Sequence, residues 1–483
     1  MCGIAGILQY RSGGAPFDPR DIVGRMNANL AHRGPDAEGL WSSANGLCHL
    51  GHRRLSIIDL TAAANQPMLD VSNRYAIVFN GEVYNFKDLR ESLEKRGLSF
   101  KTRSDTEVLL QGFAADGVDI FSKLDGMFAV AIYDTVTGKL TLARDRAGEK
   151  PLYYVKGSGY FAFASELRAL LNVPRAHGGI SEEALGLYMA LRYVPAPGSI
   201  LKGIHKLPPA SILEIAADGT VKESKYYAFS AANPAPTPPL SQDAFAEQVE
   251  AALIDSLRAR LNSDVPLGAF LSSGVDSALV CSLLTKRLNT NLKTFTVGFE
   301  GDIGSEHAAA ADIARLLGTE HQTFIFGAAA FDEVCENIGD LLDEPNGDRS
   351  CVPTYLLSRF ARAHVTTAIS GDGGDELFAG YARYAAFVQK FGKTAWPSPA
   401  AIARTYFEQS LPVFPWQGIR ETLPEAMGAV MSFVDAQGAV FAAPGRNIID
   451  GLRMLDFDTY MPGAVLAKVD RMSMRHGLEV RTP

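Results

Sequence analysis

Apolar and polar positions follow two different periods along this chain. In the first part, short apolar runs are cut by turn residues. Met127 to Tyr133 is apolar, meets Asp134 and Thr137-Gly138, and is followed by Leu140 to Arg144, a pattern that predicts a hairpin. Tyr75 to Phe79 is a similar run, stopped by Asn80-Gly81, which reads as a turn signal. Residues 86–97 place Leu89 and Leu93 at helical spacing with charges between them, predicting a helix that Gly97 closes. At the extreme N-terminus, Ile4 and Ile7 among small residues predict a buried strand.

Residues 228–242 contain four prolines and no hydrophobic period, as a stiff, extended linker would. Beyond them strands and helices alternate. Strands are predicted over 265–271, 292–299 and 365–369, and helices over 275–287 and 306–317, the latter closed by Gly318. That alternation predicts a parallel sheet covered by helices. Residues 385–460 read as mostly helical and carry no motif, and no internal repeat stands out.

Composition narrows the function class. A chain of 483 residues is expected to hold two or more domains, because single cores stop growing near ~250–300 residues. A net charge of −8 argues against general nucleic-acid binding, which needs a basic face. Five scattered cysteines without CxxC spacing suggest neither a disulfide framework nor a zinc site. No charged leader precedes an apolar run, and no apolar stretch approaches the ~18 residues of a membrane span, so the expected location is the cytoplasm.

The chemistry begins at Met1-Cys2-Gly3-Ile4-Ala5-Gly6. If Met1 is removed, Cys2 carries a thiol and a free α-amine on one residue. An α-amine has a reference pKa near ~8, so part of it is unprotonated at neutral pH and can serve as the base for its own thiol. Four further landmarks follow: His32-Arg33-Gly34-Pro35-Asp36, Gly51 to Asp59, Phe79-Asn80-Gly81-Glu82-Val83-Tyr84-Asn85, and Ser104-Asp105-Thr106-Glu107. Singly, each has an ordinary reading, as a turn, a surface ion pair or a helix cap. In this order and spacing, over about the first 218 residues, they resemble the glutaminase domain of class II glutamine amidotransferases, the N-terminal-nucleophile family.

The resemblance implies a sandwich of two sheets flanked by helices (αββα). It assigns the glutamine pocket to Arg54, Leu55, Ser56, Ile57, Ile58, Asn80, Gly81, Glu82 and Asp105. The Asn80 amide and Gly81 N–H suit a tetrahedral oxyanion, Asp105 the substrate ammonium, and the Arg54 fork its α-carboxylate.

A second centre is expected at Leu271-Ser272-Ser273-Gly274-Val275-Asp276-Ser277, between a strand and a helix. Small residues there let backbone N–H groups and the helix N-terminus face a phosphate. Asp276 in such a loop calls for a divalent cation, with Mg²⁺ expected, and the absence of a Gly-Lys-Ser/Thr tail excludes a Walker A loop. The stretch resembles the pyrophosphate loop of ATP pyrophosphatases, in which Gly more often stands where this chain has Ser273. A second glycine-rich loop, Ser370-Gly371-Asp372-Gly373-Gly374-Asp375-Glu376, follows the strand at 365–369. By this resemblance Leu271, Ser272, Ser273, Gly274, Asp276, Ser277, Val297, Ser370 and Gly371 bind ATP. Asp276 and Asp375 hold the metal, and Asp372 is catalytic with Cys2, Asn80 and Gly81. Asp343-Glu344-Pro345 and Ser350 are expected at the acceptor pocket.

Together the halves resemble the glutamine-hydrolysing asparagine synthetase family across essentially the whole chain. The expected architecture is an N-terminal-nucleophile sandwich over 1–218, a linker over 219–242, and a doubly wound α/β ATP-pyrophosphatase domain over 243–483. The resemblance implies glutamine, ATP, Mg²⁺ and a carboxylate acceptor, aspartate in the synthetases, with no nucleic acid or membrane partner and a homodimer as one option. It also places a late catalytic lysine beyond Pro483. Relatives that amidate sugar uronic acids or close a β-lactam ring leave the acceptor open, and a glutamine-sensing module is the non-catalytic alternative.

Overall fold

A computed structural model describes residues 1–10, 14–229, 240–301, 306–411, 414–443 and 446–483. The proline-rich core of the predicted linker, 230–239, lies outside the described residues.

Two six-stranded antiparallel sheets form the N-terminal unit. The first runs in the order Ile204–Lys206, Tyr153–Gly157, Tyr160–Ala164, Gly3–Gln9, Cys48–Arg54, Ala37–Ser42. The second runs Val221–Lys225, Ser211–Ile215, Leu140–Arg144, Gly126–Asp134, Tyr75–Val83, Met68–Leu69. Strand side chains alternate between faces, so a strand between two layers must be apolar on both. In Gly3–Gln9, Ile4 and Leu8 join Ala76, Val78 and Tyr133 between the sheets, while Ala5 and Ile7 pack on Ile22, Val23 and Met26 of helix Pro19–Asn29. On the other sheet Ile77 and Phe79 pack on Val108, Leu109 and Phe113 of helix Asp105–Asp116. The expected αββα sandwich is therefore present, as are the 126–144 hairpin and helix Phe86–Lys95.

Two details differ from the sequence reading. Asn80-Gly81 is not a turn: the strand runs on to Val83, paired with Gly126–Asp134. A Cβ at Gly81 would lie 2.1 Å from the Met127 carbonyl oxygen, so the glycine is required by the approach of the neighbouring strand. The sandwich also continues past the expected boundary at 218, because Val221–Lys225 pairs with Ser211–Ile215.

The C-terminal unit holds a five-stranded, all-parallel sheet in the order Glu320–Phe326, Lys293–Phe299, Leu267–Phe270, Thr367–Ile369, Glu479–Arg481. From the central strand Leu267–Phe270 the chain winds first to one side and then, at Thr367–Ile369, to the other. The topological switch point, where open α/β sheets bind ligands, thus lies between these two strands. Leu257, Val280, Leu284 and Ala310 form one packed cluster of this unit, and Phe295, Ala361, Val469 and Val480 another. The stretch expected to be helical, 385–460, packs around Tyr406, Trp416 and Val430, joined by Ala190 and Leu191 of N-terminal helix Glu182–Leu191. Among the described residues no helix is long and apolar enough to cross a membrane.

Candidate active site

Cys2 lies at the start of Gly3–Gln9, buried where strand Tyr75–Val83 passes. Its backbone N–H donates to Asn80 Oδ1 at 2.8 Å, and its Sγ stands 4.0 Å from the Leu55 carbonyl oxygen. Burial pushes the thiol pKa up, and the adjacent terminal ammonium and Arg54 pull it back. Because Asn80 turns its oxygen to Cys2, its Nδ2 is left buried without a hydrogen-bond partner. Buried polar donors are nearly always satisfied, so this one suits a substrate oxygen.

The pocket beside Cys2 is walled by Met1, Arg54, Leu55, Ile57, Ile58, Gly81, Glu82 and Asp105, with about 30 Å³ open. Asp105 begins its helix, and Ser104, not Asp105, is the cap, accepting the Glu107 N–H. The Asp105 carboxylate takes the N–H groups of Val83 and Thr106, and burial raises its pKa to about 6. Arg54 is oriented from behind: its terminal nitrogens donate to the carbonyls of Ile58, Asp59 and Thr61 and to Asn65 Oδ1. Ser56 is not in the wall; its N–H goes to Asp36.

Among the wall residues not expected from the sequence, one comes from the other unit. Glu479 comes from the edge strand of the other unit, accepts the Met1 ammonium at 2.6 Å, and pairs with Arg481, which also reaches Glu82 at 3.4 Å. Glu479 and Arg481 are fully buried. A strand with polar residues at both ends carries no hydrophobic signal, which is why Glu479–Arg481 was missed.

The two glycine-rich loops meet at the switch point. A Cβ on Gly371 would lie 3.0 Å from the Ser277 nitrogen, and one on Gly374 would lie 2.9 Å from the Asp276 carboxyl carbon. Within the first loop, Ser272 and Ser277 bond through their hydroxyls at 2.9 Å, and Ser272 Oγ accepts the Gly274 N–H, holding the turn that opens helix Val275–Ser282. Ser273 is exposed. Leu271 and Ser370 are buried under the loops, and Val297 lies on the neighbouring strand. Desolvation raises the Asp276 carboxyl, and desolvation with Asp276 and Asp372 nearby raises Asp375. Mutually repelling carboxylates of this kind fit a divalent cation shared with phosphate oxygens, the donor set that Mg²⁺ takes.

Beside Asp372 stands Lys468, 5% exposed, its Nζ 3.2 Å from Asp372 Oδ1 and 3.0 Å from Ser350 Oγ. Burial works against its charge, but Asp372 and Asp348 outweigh that and hold it above the ordinary lysine range. The resemblance implies a late lysine beyond Pro483, whereas this one lies before it. The signal was the run Lys468-Val469-Asp470-Arg471, dense in charge inside an apolar helix.

Of the residues expected at the acceptor pocket, Ser350 stands beside Lys468, Glu344 lines a cavity between the units, and both Asp343 and Glu344 bond across from one unit to the other. Asp343 accepts the backbone N–H groups of Leu167 and Arg168, and Glu344 pairs with Lys206 and accepts from Ile200, so both tie the two units together. A larger cavity of about 440 Å³ opens between the units near Arg144, Lys206, Phe457 and Arg471, and none of the predicted catalytic, glutamine, nucleotide or metal residues lines it.

Comparison with known proteins matches both halves. Residues 1–227 match the family model described as a glutamine amidotransferase domain, and residues 248–483 the model described as asparagine synthase. The chain is 33% identical to asparagine synthetase (glutamine-hydrolyzing) 1 of Bacillus subtilis, covering 100% of this chain and 79% of that protein. It is 32% identical to a putative asparagine synthetase of Mycobacterium tuberculosis, covering 100% and 80%. To a putative asparagine synthetase of Methanocaldococcus jannaschii it is 36% identical, covering 79% and 76%.

Proposed function

Because the chain belongs to the glutamine-hydrolysing asparagine synthetase family, we propose that it converts aspartate, glutamine, ATP and water into asparagine, glutamate, AMP and pyrophosphate. The observation that carries this reading is the union, in one chain, of a cysteine clasped by Asn80 with two loops meeting at a parallel sheet's switch point.

At the first centre, loss of Met1 frees the Cys2 amine, which takes the thiol proton. The thiolate attacks the glutamine side-chain amide carbon, and Asn80 Nδ2 with the Gly81 N–H bears the oxyanion. The C–N bond breaks, ammonia leaves with the proton from the Cys2 amine, and water then cleaves the thioester to glutamate. Asp105 pairs the substrate ammonium, and Arg54, braced by the 58–65 loop, faces its carboxylate.

At the second centre, Ser272 to Ser277, Ser370 and Gly371 seat ATP. The aspartate side-chain carboxylate attacks the α-phosphorus, and pyrophosphate leaves. Ammonia then attacks the acyl carbon and AMP leaves. Asp372 and Lys468 flank this centre, where a cation suits the negatively charged acceptor. Asp276 and Asp375 would hold Mg²⁺, which when bound neutralises charge on the phosphates. Ammonia released to water at neutral pH would be protonated and lost as a nucleophile, so it has to travel inside the protein. The cytoplasm, which supplies ATP and keeps thiols reduced, suits these requirements.

The test is an incubation of purified protein with amide-¹⁵N glutamine, ATP, Mg²⁺ and aspartate, read by mass spectrometry. Labelled asparagine with equimolar glutamate, AMP and pyrophosphate is expected. Unlabelled products, or ADP and phosphate in place of AMP and pyrophosphate, would overturn the reading.

A further inference from the structure

Helix Leu466–Met474 is buried at almost every position and touches both centres. Lys468 leaves it toward Asp372 and Ser350 of the nucleotide side. Asp470 leaves it toward the glutaminase unit, where its two oxygens take the Arg33 guanidinium at 2.8 and 3.1 Å. Positions two apart on a helix point about 200° from one another, so these two side chains necessarily serve opposite faces.

Arg33 is fully buried and has a specific target. Its Nε donates to the Cys2 carbonyl oxygen at 3.0 Å, and its Nη1 also reaches Glu166 at 3.1 Å. Glu166 is shared with His32, and Lys150 stands 3.5 Å from Asp470. A buried ion pair is a weak source of stability compared with apolar side chains of equal size, whereas a bidentate arginine–carboxylate pair fixes orientation tightly. The geometry therefore favours a role in alignment.

We infer that Asp470 is a positioning residue for the glutaminase nucleophile. Acting through Arg33, it fixes the main chain of Cys2 from the synthetase side, so the thiol is aligned only while helix Leu466–Met474 is seated. This rests on the functional reading above as far as Cys2 is the nucleophile. Without Asp470 the guanidinium keeps only Glu166 as a carboxylate partner and is free to turn away from the Cys2 carbonyl.

The full chain carrying Asp470→Asn tests this, because the amide keeps the shape and removes the charge. Displacing a reacting group by ~1 Å costs on the order of 10²-fold in rate. Glutamine hydrolysis is accordingly expected to fall ~10- to 100-fold in kcat with little change in KM, while synthesis supported by added ammonia stays within about twofold. Asp470→Glu, which retains the charge, is expected to recover part of the loss. An Asn variant with undiminished glutamine hydrolysis overturns the inference, and so does an equal fall of both activities, which would make Asp470 merely structural.

A measurement on the unaltered protein covers the case in which the variant does not fold. The rate of Cys2 alkylation by iodoacetamide, resolved from other cysteines by peptide mass spectrometry, is expected to change at least about threefold when aspartate and a non-hydrolysable ATP analogue are added. An unchanged rate overturns the link. Unaltered protein that hydrolyses glutamine without making asparagine would sink the functional reading and leave the Asp470 test intact.

Discussion

Asn80 accepts the Cys2 N–H through its side-chain oxygen at 2.8 Å, which leaves its amide nitrogen buried and without a partner beside the thiol. One contact thus holds the proposed nucleophile and leaves a buried donor free beside it. Asn80→Ala is expected to lower kcat for glutamine hydrolysis by ~10²–10³, the usual cost of one oxyanion donor, while ammonia-supported synthesis persists. Steady-state assays with the two nitrogen sources check it; equal losses with both would refute the assignment.

Cys2→Ala removes the proposed nucleophile outright. Glutamate formation is expected to vanish and asparagine still to form from ammonium salts at high concentration. A variant that goes on using glutamine as donor would end the case for Cys2.

Asp105 gives a pH dependence. Burial raises its carboxyl to about 6, above the ordinary value near ~3.9, so the folded chain binds this proton more tightly than the unfolded chain. The ionised group therefore weakens the fold above about pH 6, and that penalty fades as the pH falls from 6 toward 4. In the proposed role Asp105 pairs the substrate ammonium as a carboxylate, so kcat/KM for glutamine is expected to fall about tenfold per unit below about pH 6. An Asp105→Asn profile that keeps the same acid limb would assign it to another group.

Asp375→Asn should leave glutamine hydrolysis intact and impair AMP formation. With one of two carboxylates gone, the Mg²⁺ concentration for half-maximal synthesis is expected to rise by at least the ~10-fold that loss of a mere outer-shell partner costs. Titrating Mg²⁺ while following pyrophosphate release decides the matter, and an unshifted midpoint counts against Asp375 as a ligand.

Gly81→Ala tests packing. The new methyl would meet backbone atoms, at 2.1 Å from the Met127 oxygen and 2.6 Å from the Phe128 Cα, which cannot swing aside. Overpacking of this kind costs about 1–3 kcal/mol, visible in calorimetry as a lowered melting temperature of the N-terminal unit. An unchanged melting curve would show that the strands separate more easily than their pairing implies.

What could be read from the chain alone was whatever local pattern specifies. Period-two and period-3.6 runs placed the hairpin at 126–144 and the strand–loop–helix around Ser272, because each buries its apolar residues within its own unit. Asn80-Gly81 misled because the pair usually serves a turn, whereas here its two residues answer to Cys2 and to Phe128, partners distant in sequence. Glu320–Phe326 is a half-exposed edge strand, with too few apolar positions to announce itself. Asp343, Glu344, Glu479 and Arg481 are hydrophilic residues made interior by a neighbouring unit, and no window of sequence reports a partner hundreds of positions away.

The buried Met1 ammonium, 2.6 Å from Glu479 with neither group open to solvent, sets an order of events during synthesis. A peptidase that trims the first residue has to grasp it in the open. Once strand Glu479–Arg481 has docked, that end of the polypeptide is sealed. If Met1 is removed, as the proposed role of Cys2 requires, its removal is expected before strand Glu479–Arg481 docks over it, and a chain that kept Met1 is expected to stay unprocessed while folded.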